Sequence, residues 1–241
     1  MSDGLEPAYV LHARPYRDTS VLLDLFGRHT GRFGAVARGA RSDRSKYRGR
    51  LQPFTPLLVA TVGRGELKTL TTLEFPGKAF TPRGDNLLLG LYVNELLYRL
   101  LGSFDPVTQL FDEYHDLLVQ LSDPGAAVRA VRWFELCVLQ ELGYGINFEY
   151  DTRTGNMIAP ENLYQFVVDE GFHQAVSDHA DLQKESLYPG TELLHLASGS
   201  LAEVDEKRLL NLTRSSLARL LGEKPLKSRA LFRRQSRTQA R

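Results

Sequence analysis

The spacing of apolar residues changes once along the chain, near Pro82. Before it the runs are short and several alternate. Phe33, Ala35 and Ala37 fall on one side of a strand, and Arg32, Gly34, Val36 and Arg38 on the other. "AYVLHARPY", "SVLLDLFGR", "GRFGAVARGA", "TPLLVATVGR" and "ELKTLTTLE" predict five strands between residues 8 and 75, rich in Val, Leu, Phe and Thr. Turn residues fill the gaps: Asp18-Thr19, His29-Thr30-Gly31, Pro53 with Pro56, and Gly63-Arg64-Gly65. Five strands in so little chain make a small barrel or sandwich, and the count fits a five-stranded Greek-key barrel, the OB-fold.

After Pro82 the period becomes 3.6. "DNLLLGLYVNELLYRLL" is apolar on nearly every face, which predicts a central buried helix. "DPVTQLFDEYHDLLVQL" places Asp105 as a cap and Pro106 at the first helical position, with a stripe of Val107, Leu110, Phe111, Tyr114, Leu118 and Leu121. "DPGAAVRAVRWFELCVLQELGYG" repeats the Asp-Pro opening, carries Val128, Val131, Phe134, Val138 and Leu142, and stops at Gly143. Residues 145–190 are less regular, with strand-like pieces such as "LYQFVVDEGF" among turns. A last helix is expected from about Asp205 to Leu221, ended by Gly222 and Pro225. The expected class is α+β and multidomain: an OB barrel over 1–80, then a mainly helical domain over 81–241 with an irregular insertion and a basic tail.

Charge changes this picture. The net +1 hides a segregated distribution: +6 over residues 1–80, −12 over 81–223 and +7 over 224–241. Basic ends on an acidic middle suggest a polyanionic partner, against a surface that merely averages to neutral. The densest cluster is "ARGARSDRSKYRGRLQPFTP", where Arg38, Arg41, Arg44, Lys46, Arg48 and Arg50 face one acid, Asp43. Tyr47 lies inside the run and Phe54 just after it. Natural surfaces usually mix signs, so a solubilising loop is the weaker reading. Arginine forks suit bidentate phosphate contacts, and aromatic rings can take unpaired bases. Lys68 falls on the strand that returns from "GRGELKT".

Catalytic signatures are missing from the sequence. There is no P-loop, dinucleotide fingerprint or nucleophile elbow. The six histidines are scattered and none has HExxH spacing. Cys137 is the single cysteine, so neither an intrachain disulfide nor a zinc ribbon can form; its apolar neighbours predict a buried thiol. A binding protein is therefore expected rather than an enzyme, with no cofactor and no metal. No apolar run reaches the ~18 residues of a membrane span, and "MSDGLEPAYV" lacks the parts of a signal peptide. The expected location is cytoplasmic.

"YVLHARPYRDTSVLLDLF", "GRFGAVARGAR", "LQPFTPLL", "GRGELKTL", "LYVNELLYRLL", "FELCVLQELGYGINF" and "KPLKSRALFR" resemble, in order, the RecO family of bacterial recombination mediators. The resemblance runs from about residue 8 to 233. It implies an N-terminal OB-fold and a helical C-terminal domain. It also implies binding of single- and double-stranded DNA, annealing of complementary strands, and an association with the nucleoid. The implied partners are RecR, the acidic C-terminal tail of single-stranded-DNA-binding protein and, indirectly, the RecA recombinase. Many relatives carry a four-cysteine zinc module; this chain lacks those cysteines around 145–190 and is similar to the zinc-free branch.

The expected DNA-binding residues are Arg38, Arg41, Arg44, Lys46, Tyr47, Arg48, Arg50 and Lys68, with Lys227 and Arg229 of the tail as a second contact. For an acidic peptide with an apolar end, the few cations of the acidic region are the candidates: Arg99, Arg129 and Arg132, with Trp133 flanking the last two. Two alternatives stay open: an RNA-binding module, and an adaptor whose basic surfaces dock acidic proteins.

Overall fold

The computed structural model describes residues 4–45, 47–123, 127–175 and 187–228. The chain divides into two compact units, one of Met1–Ala127 with the segment from Lys224 onward, the other of Val128–Glu223.

Five strands open the first unit: β1 (Glu6–Tyr16), β2 (Ser20–Gly27), β3 (Gly31–Ala37), β4 (Pro56–Val62) and β5 (Leu67–Glu74). They close into a barrel in the order β1-β2-β3-β5-β4, with β4 pairing back to β1. Every pairing is antiparallel except β3 with β5, where Ala35 faces Lys68. This is the OB arrangement that the strand count suggests. The alternation holds: Leu23, Leu25, Phe33, Ala35, Leu57 and Val59 fill the interior.

Two helices follow, α1 (Asp85–Leu100) and α2 (Thr108–Leu121). They do more than trail the barrel. Tyr9 and Phe26 lie on β1 and β2, 3 % and 0 % exposed, because Phe111 and Tyr114 of α2 cover them at ring separations of 5.2 to 5.9 Å. Asn94 of α1 is buried and donates to the Leu11 carbonyl at 3.0 Å, while the Tyr114 hydroxyl donates to its Oδ1 at 2.6 Å. One amide side chain thus joins β1, α1 and α2. Burial, with Asp116 nearby, pushes the Tyr9 phenol up to about 12, so it stays neutral in its 2.5 Å hydrogen bond with His115.

The start of α2 corrects the sequence reading. Asp105 does not cap it; the helix begins at Thr108, after Val107, with no side-chain cap. The reason lies in β3. Phe104 donates its N–H to Arg32, and Ser103 bridges to the same residue, so 103–104 run along the strand edge. Gly31, at φ 73°, lets the Asp105 backbone pass so close that a Cβ there would lie 2.0 Å from the Asp105 carbonyl oxygen.

The chain returns to the first unit at its C-terminal end. Leu226 is buried, and the Glu95 carboxylate on α1 accepts from the N–H groups of Lys227 and Ser228 and from the Ser228 hydroxyl, each at 2.8 Å. Arg99 donates to the Lys224 carbonyl at 2.7 Å. Burial alone would raise the Glu95 carboxyl; the Ser228 and Lys227 donors, with Arg99, outweigh it and hold it below the usual range. A depressed carboxyl contributes its contacts above its unfolded pKa of ~4.3 and loses them as pH falls through the lower folded value. Glu95→Gln is therefore expected to speed tryptic cleavage after Lys227 at neutral pH. Equal cleavage rates with and without the substitution would remove Glu95 as the anchor.

The second unit holds α3 (mostly; Ala127–Glu141), β6 (Leu163–Val167), β7 (Gly171–Gln174), β8 (Leu187–Pro189), α4 (Gly190–Ala197) and α5 (Glu206–Leu221). The strands form an antiparallel sheet in the order β7-β6-β8, and the strand-like "LYQFVVDEGF" supplies β6 and the start of β7. Tyr164, Phe172, Tyr188, Leu193, Leu209 and Leu212 make the core. Gly143, at φ 81°, ends α3 as expected, and Asp205 caps α5 by accepting from the N–H groups of Lys207 and Arg208. Val128, placed on an apolar stripe by the sequence, is 49 % exposed, and Cys137 is only partly buried. The helix α4 was not expected within or after the irregular stretch. No described helix is long and apolar enough to cross a membrane.

Candidate nucleic-acid interface

The basic stretch is the connection between β3 and β4, and its order comes from turns. Ser42 donates its N–H to Gly39, Ser45 to Ser42, Arg48 to Ser45 and Arg50 to Tyr47, at 3.0 to 3.2 Å. Gly39 and Gly49 supply the positive φ angles of 67° and 72° that two of these reversals need. Ala40, Leu51 and Phe54 dip into the core, 2 to 6 % exposed. The side chains between these anchors have nowhere to go but outward. Arg38, Arg41, Arg44, Arg48 and Arg50 are all exposed. Lys46 lies outside the described residues.

Phe54 is thus a core residue and not a surface ring. Its φ of 67° turns it inward, and a Cβ on Gly90 of α1 would come within 2.9 Å of its ring. The surface aromatic contact is made by Phe75 instead, just past the end of β5. The Arg50 guanidinium lies 3.6 Å above the Phe75 ring centroid, and the Tyr47 ring is 6.3 Å from the same ring. Phe75 is distant in sequence from the arginines, so only the barrel topology brings it there.

The loop meets the β1–β2 turn. The Arg41 N–H donates to the Thr19 carbonyl at 2.7 Å, and its guanidinium reaches the Arg17 carbonyl at 3.4 Å. Between them opens a cleft of ≈ 530 Å³, walled by His12, Arg14 and Val21 on one side and Arg41, Tyr47 and Arg48 on the other. Arg14 and Arg17 are exposed, the latter with its guanidinium 5.2 Å from the Tyr16 ring. Neither was singled out from the sequence; the excess of cations before residue 80 was the available signal. The acid of the loop, Asp43, pairs with Arg48 at 2.5 Å in the open, a contact that costs little to exchange for a phosphate.

Lys68 belongs to a different neighbourhood. Its ammonium donates to the Gly63 carbonyl at 2.9 Å and lies 4.9 Å from the Phe104 ring, and none of these residues is in the loop. Lys227 is exposed in the first unit, and Arg229 lies outside the described residues.

The residues expected to hold an acidic peptide are divided between the two units. Arg99 is in the first unit, engaged with Lys224. In the second unit Arg129 donates to the carbonyls of Leu201 and Val204 and pairs with Glu206 at 3.3 Å. Arg132 is 8 % exposed and pairs with the fully buried Glu135 at 2.7 Å. Trp133 is half-buried beside Gly199. The same unit has a cleft of ≈ 400 Å³ lined by Leu139, Tyr144, Ile146, Phe166, Val168 and Arg219 among others. Among the described residues no cluster of three or more His, Cys, Asp or Glu is placed to hold a metal ion.

Residues 1–76 match the family model for Recombination protein O N terminal, and residues 82–230 the model for Recombination protein O C terminal. The DNA repair protein RecO of Yersinia pestis (strain Pestoides F) is 42 % identical over 234 residues, covering 96 % of this chain and 95 % of the relative. That of Coxiella burnetii (strain RSA 331 / Henzerling II) is 40 % identical over 230 residues, covering 95 % and 97 %.

Proposed function

The chain belongs to the RecO family, and from that premise we propose that it is a DNA repair protein that binds DNA strands through the β3–β4 loop and anneals complementary ones. One observation carries this reading: exposed arginines from two separate elements, Arg14 of β1 with Arg41 and Arg48 of the β3–β4 loop, line a single cleft. A row of cations held on ordered backbone suits the phosphates of a strand, and each neutralised phosphate releases condensed counterions. Annealing joins two polyanions, so screening charge is what the protein must supply; no bond is made or broken. The step is non-enzymatic in this reading. Mixing complementary oligonucleotides with the protein, with donor and acceptor dyes on the two strands, tests it. Acceleration at low salt that fades as salt rises supports annealing; a rate equal to that of the strands alone rules it out. An uncharged-backbone analogue serves as the control, since it offers no phosphate to the arginines and should not be annealed faster than on its own.

We also propose the partners of a mediator: RecR, and single-stranded-DNA-binding protein through its acidic tail, so that RecA loads onto the exposed strand. The net charge of −12 over residues 81–223 disfavours DNA there and leaves that region to proteins. Arg132→Ala is a poor test of tail binding, because it takes a cation from beside a buried carboxylate and should lower stability as well. The cleft with Arg219 offers a cleaner one: Arg219 is 58 % exposed, pairs with Asp169, and shares the cleft with Leu139, Ile146 and Phe166. Arg219→Ala is expected to weaken binding of a tail peptide by about 3- to 10-fold, the size of one lost charged contact, with bare DNA bound as before. Unaltered peptide affinity by fluorescence anisotropy would move the pocket elsewhere.

A further inference from the structure

The arginines of the loop are not equivalent. Arg48 reaches a carboxylate and Arg41 a carbonyl, each offering an edge N–H as it would to a phosphate oxygen. Arg50 is different: its guanidinium carbon lies over the Phe75 ring, 3.6 Å from the centroid, a separation at which the two planar groups stack. Stacked there, a guanidinium keeps its other face for solvent, and Arg50 is exposed. Phe75 is itself fixed, packed on the barrel core with Tyr47 beside it. Tyr47 also lines the cleft that holds Arg14, Arg41 and Arg48. The phosphate path and the stacked pair are therefore continuous through one residue.

We infer that Arg50, held flat by Phe75, is a stacking platform for an unpaired nucleobase of the strand whose backbone runs along the cleft. The ligand class is a single-stranded polynucleotide with at least one base turned out of any stack. Planar guanidinium groups and aromatic rings both take bases on their faces, without regard to base identity. A duplex keeps its bases stacked and can offer only phosphates. Arg50 and Phe75 thus distinguish single strands from duplex, while the remaining loop arginines serve both. This inference rests on the DNA-binding reading above.

The substitution that separates the two roles is Arg50→Lys. It keeps the charge and loses the plane, and at a stacked site that exchange is not conservative. Three probes of equal phosphate number are measured by fluorescence anisotropy on the full chain: an oligothymidylate, its abasic counterpart and a blunt duplex. The unchanged protein is expected to bind the oligothymidylate about 5- to 10-fold more tightly than the abasic strand. Arg50→Lys and Phe75→Leu should each erase that preference, with the Arg50→Lys salt dependence and duplex affinity as in the unchanged protein. Arg50→Lys is at the surface and does not threaten folding. Retention of the preference in Arg50→Lys overturns the platform, as does equal binding of both single strands by the unchanged protein. If the unchanged protein binds none of the three probes, the DNA-binding reading falls and the platform with it.

Discussion

Replacing Arg41, Arg44 and Arg48 together by Glu is expected to lower affinity for a single-stranded oligonucleotide by roughly 100-fold at about 0.15 M salt. The size follows from counterion release. Each phosphate contact on a single strand adds about 0.7 to the slope of log K against log salt. At that salt one contact is worth about a factor of 4, and three are worth roughly 60 before the new repulsion is counted. Four phosphate-facing loop arginines, Arg38, Arg41, Arg44 and Arg48, with one phosphate each give a slope of about −2.8, and the variant should fall to about −0.7. Annealing should fail with binding, since both strands must be screened. The three side chains are exposed and hold no core contact, so the melting temperature should stay close to that of the unchanged protein. A folded triple variant that binds with unchanged affinity and slope would clear the loop of any role in DNA binding.

The barrel was legible because its signals are local. Alternation along β3 separates Phe33, Ala35 and Ala37 from Arg32 and Gly34, and turn residues mark each end. The arginines of the loop were legible for the same reason, as a charge run between two strands. What stayed hidden depends on tertiary approach. The Asp-Pro pair at 105–106 looks like a helix start, but backbone contact with Gly31 and Arg32 keeps the chain out of the helix until Thr108. Phe54 was the nearer ring by sequence, and a positive φ turns it into the core. Phe75 became its replacement only through the barrel closing. Arg129 and Arg132 showed charge and spacing, while their partners, the carbonyls of Leu201 and Val204 and the hydroxyl of Thr213, lie 72 to 81 residues later in the chain and could not be foreseen.

A fragment ending at residue 80 contains the whole barrel and the whole basic loop, yet it is expected not to fold cooperatively. Tyr9 and Phe26 would lose the cover of Phe111 and Tyr114, and burying such a side chain is worth about 1.5–3 kcal/mol. Asn94 would no longer reach the Leu11 carbonyl. Together these losses approach the whole stability of a small domain, ~5–15 kcal/mol. The full chain tests the same link without truncation. Asn94→Ala removes a donor from Leu11 and an acceptor from Tyr114 inside the core, at a cost of about 2–4 kcal/mol. For a chain of this size that lowers the melting temperature by about 5–15 °C. DNA affinity of the folded fraction should be unchanged at low temperature, because the cleft and the Arg50–Phe75 pair lie on the barrel and its loop. A fragment of residues 1–123, which restores α1 and α2, should recover a cooperative melt. A sharp transition for the 1–80 fragment, or an Asn94→Ala protein that melts with the unchanged one, would mean that the barrel stands without its helices.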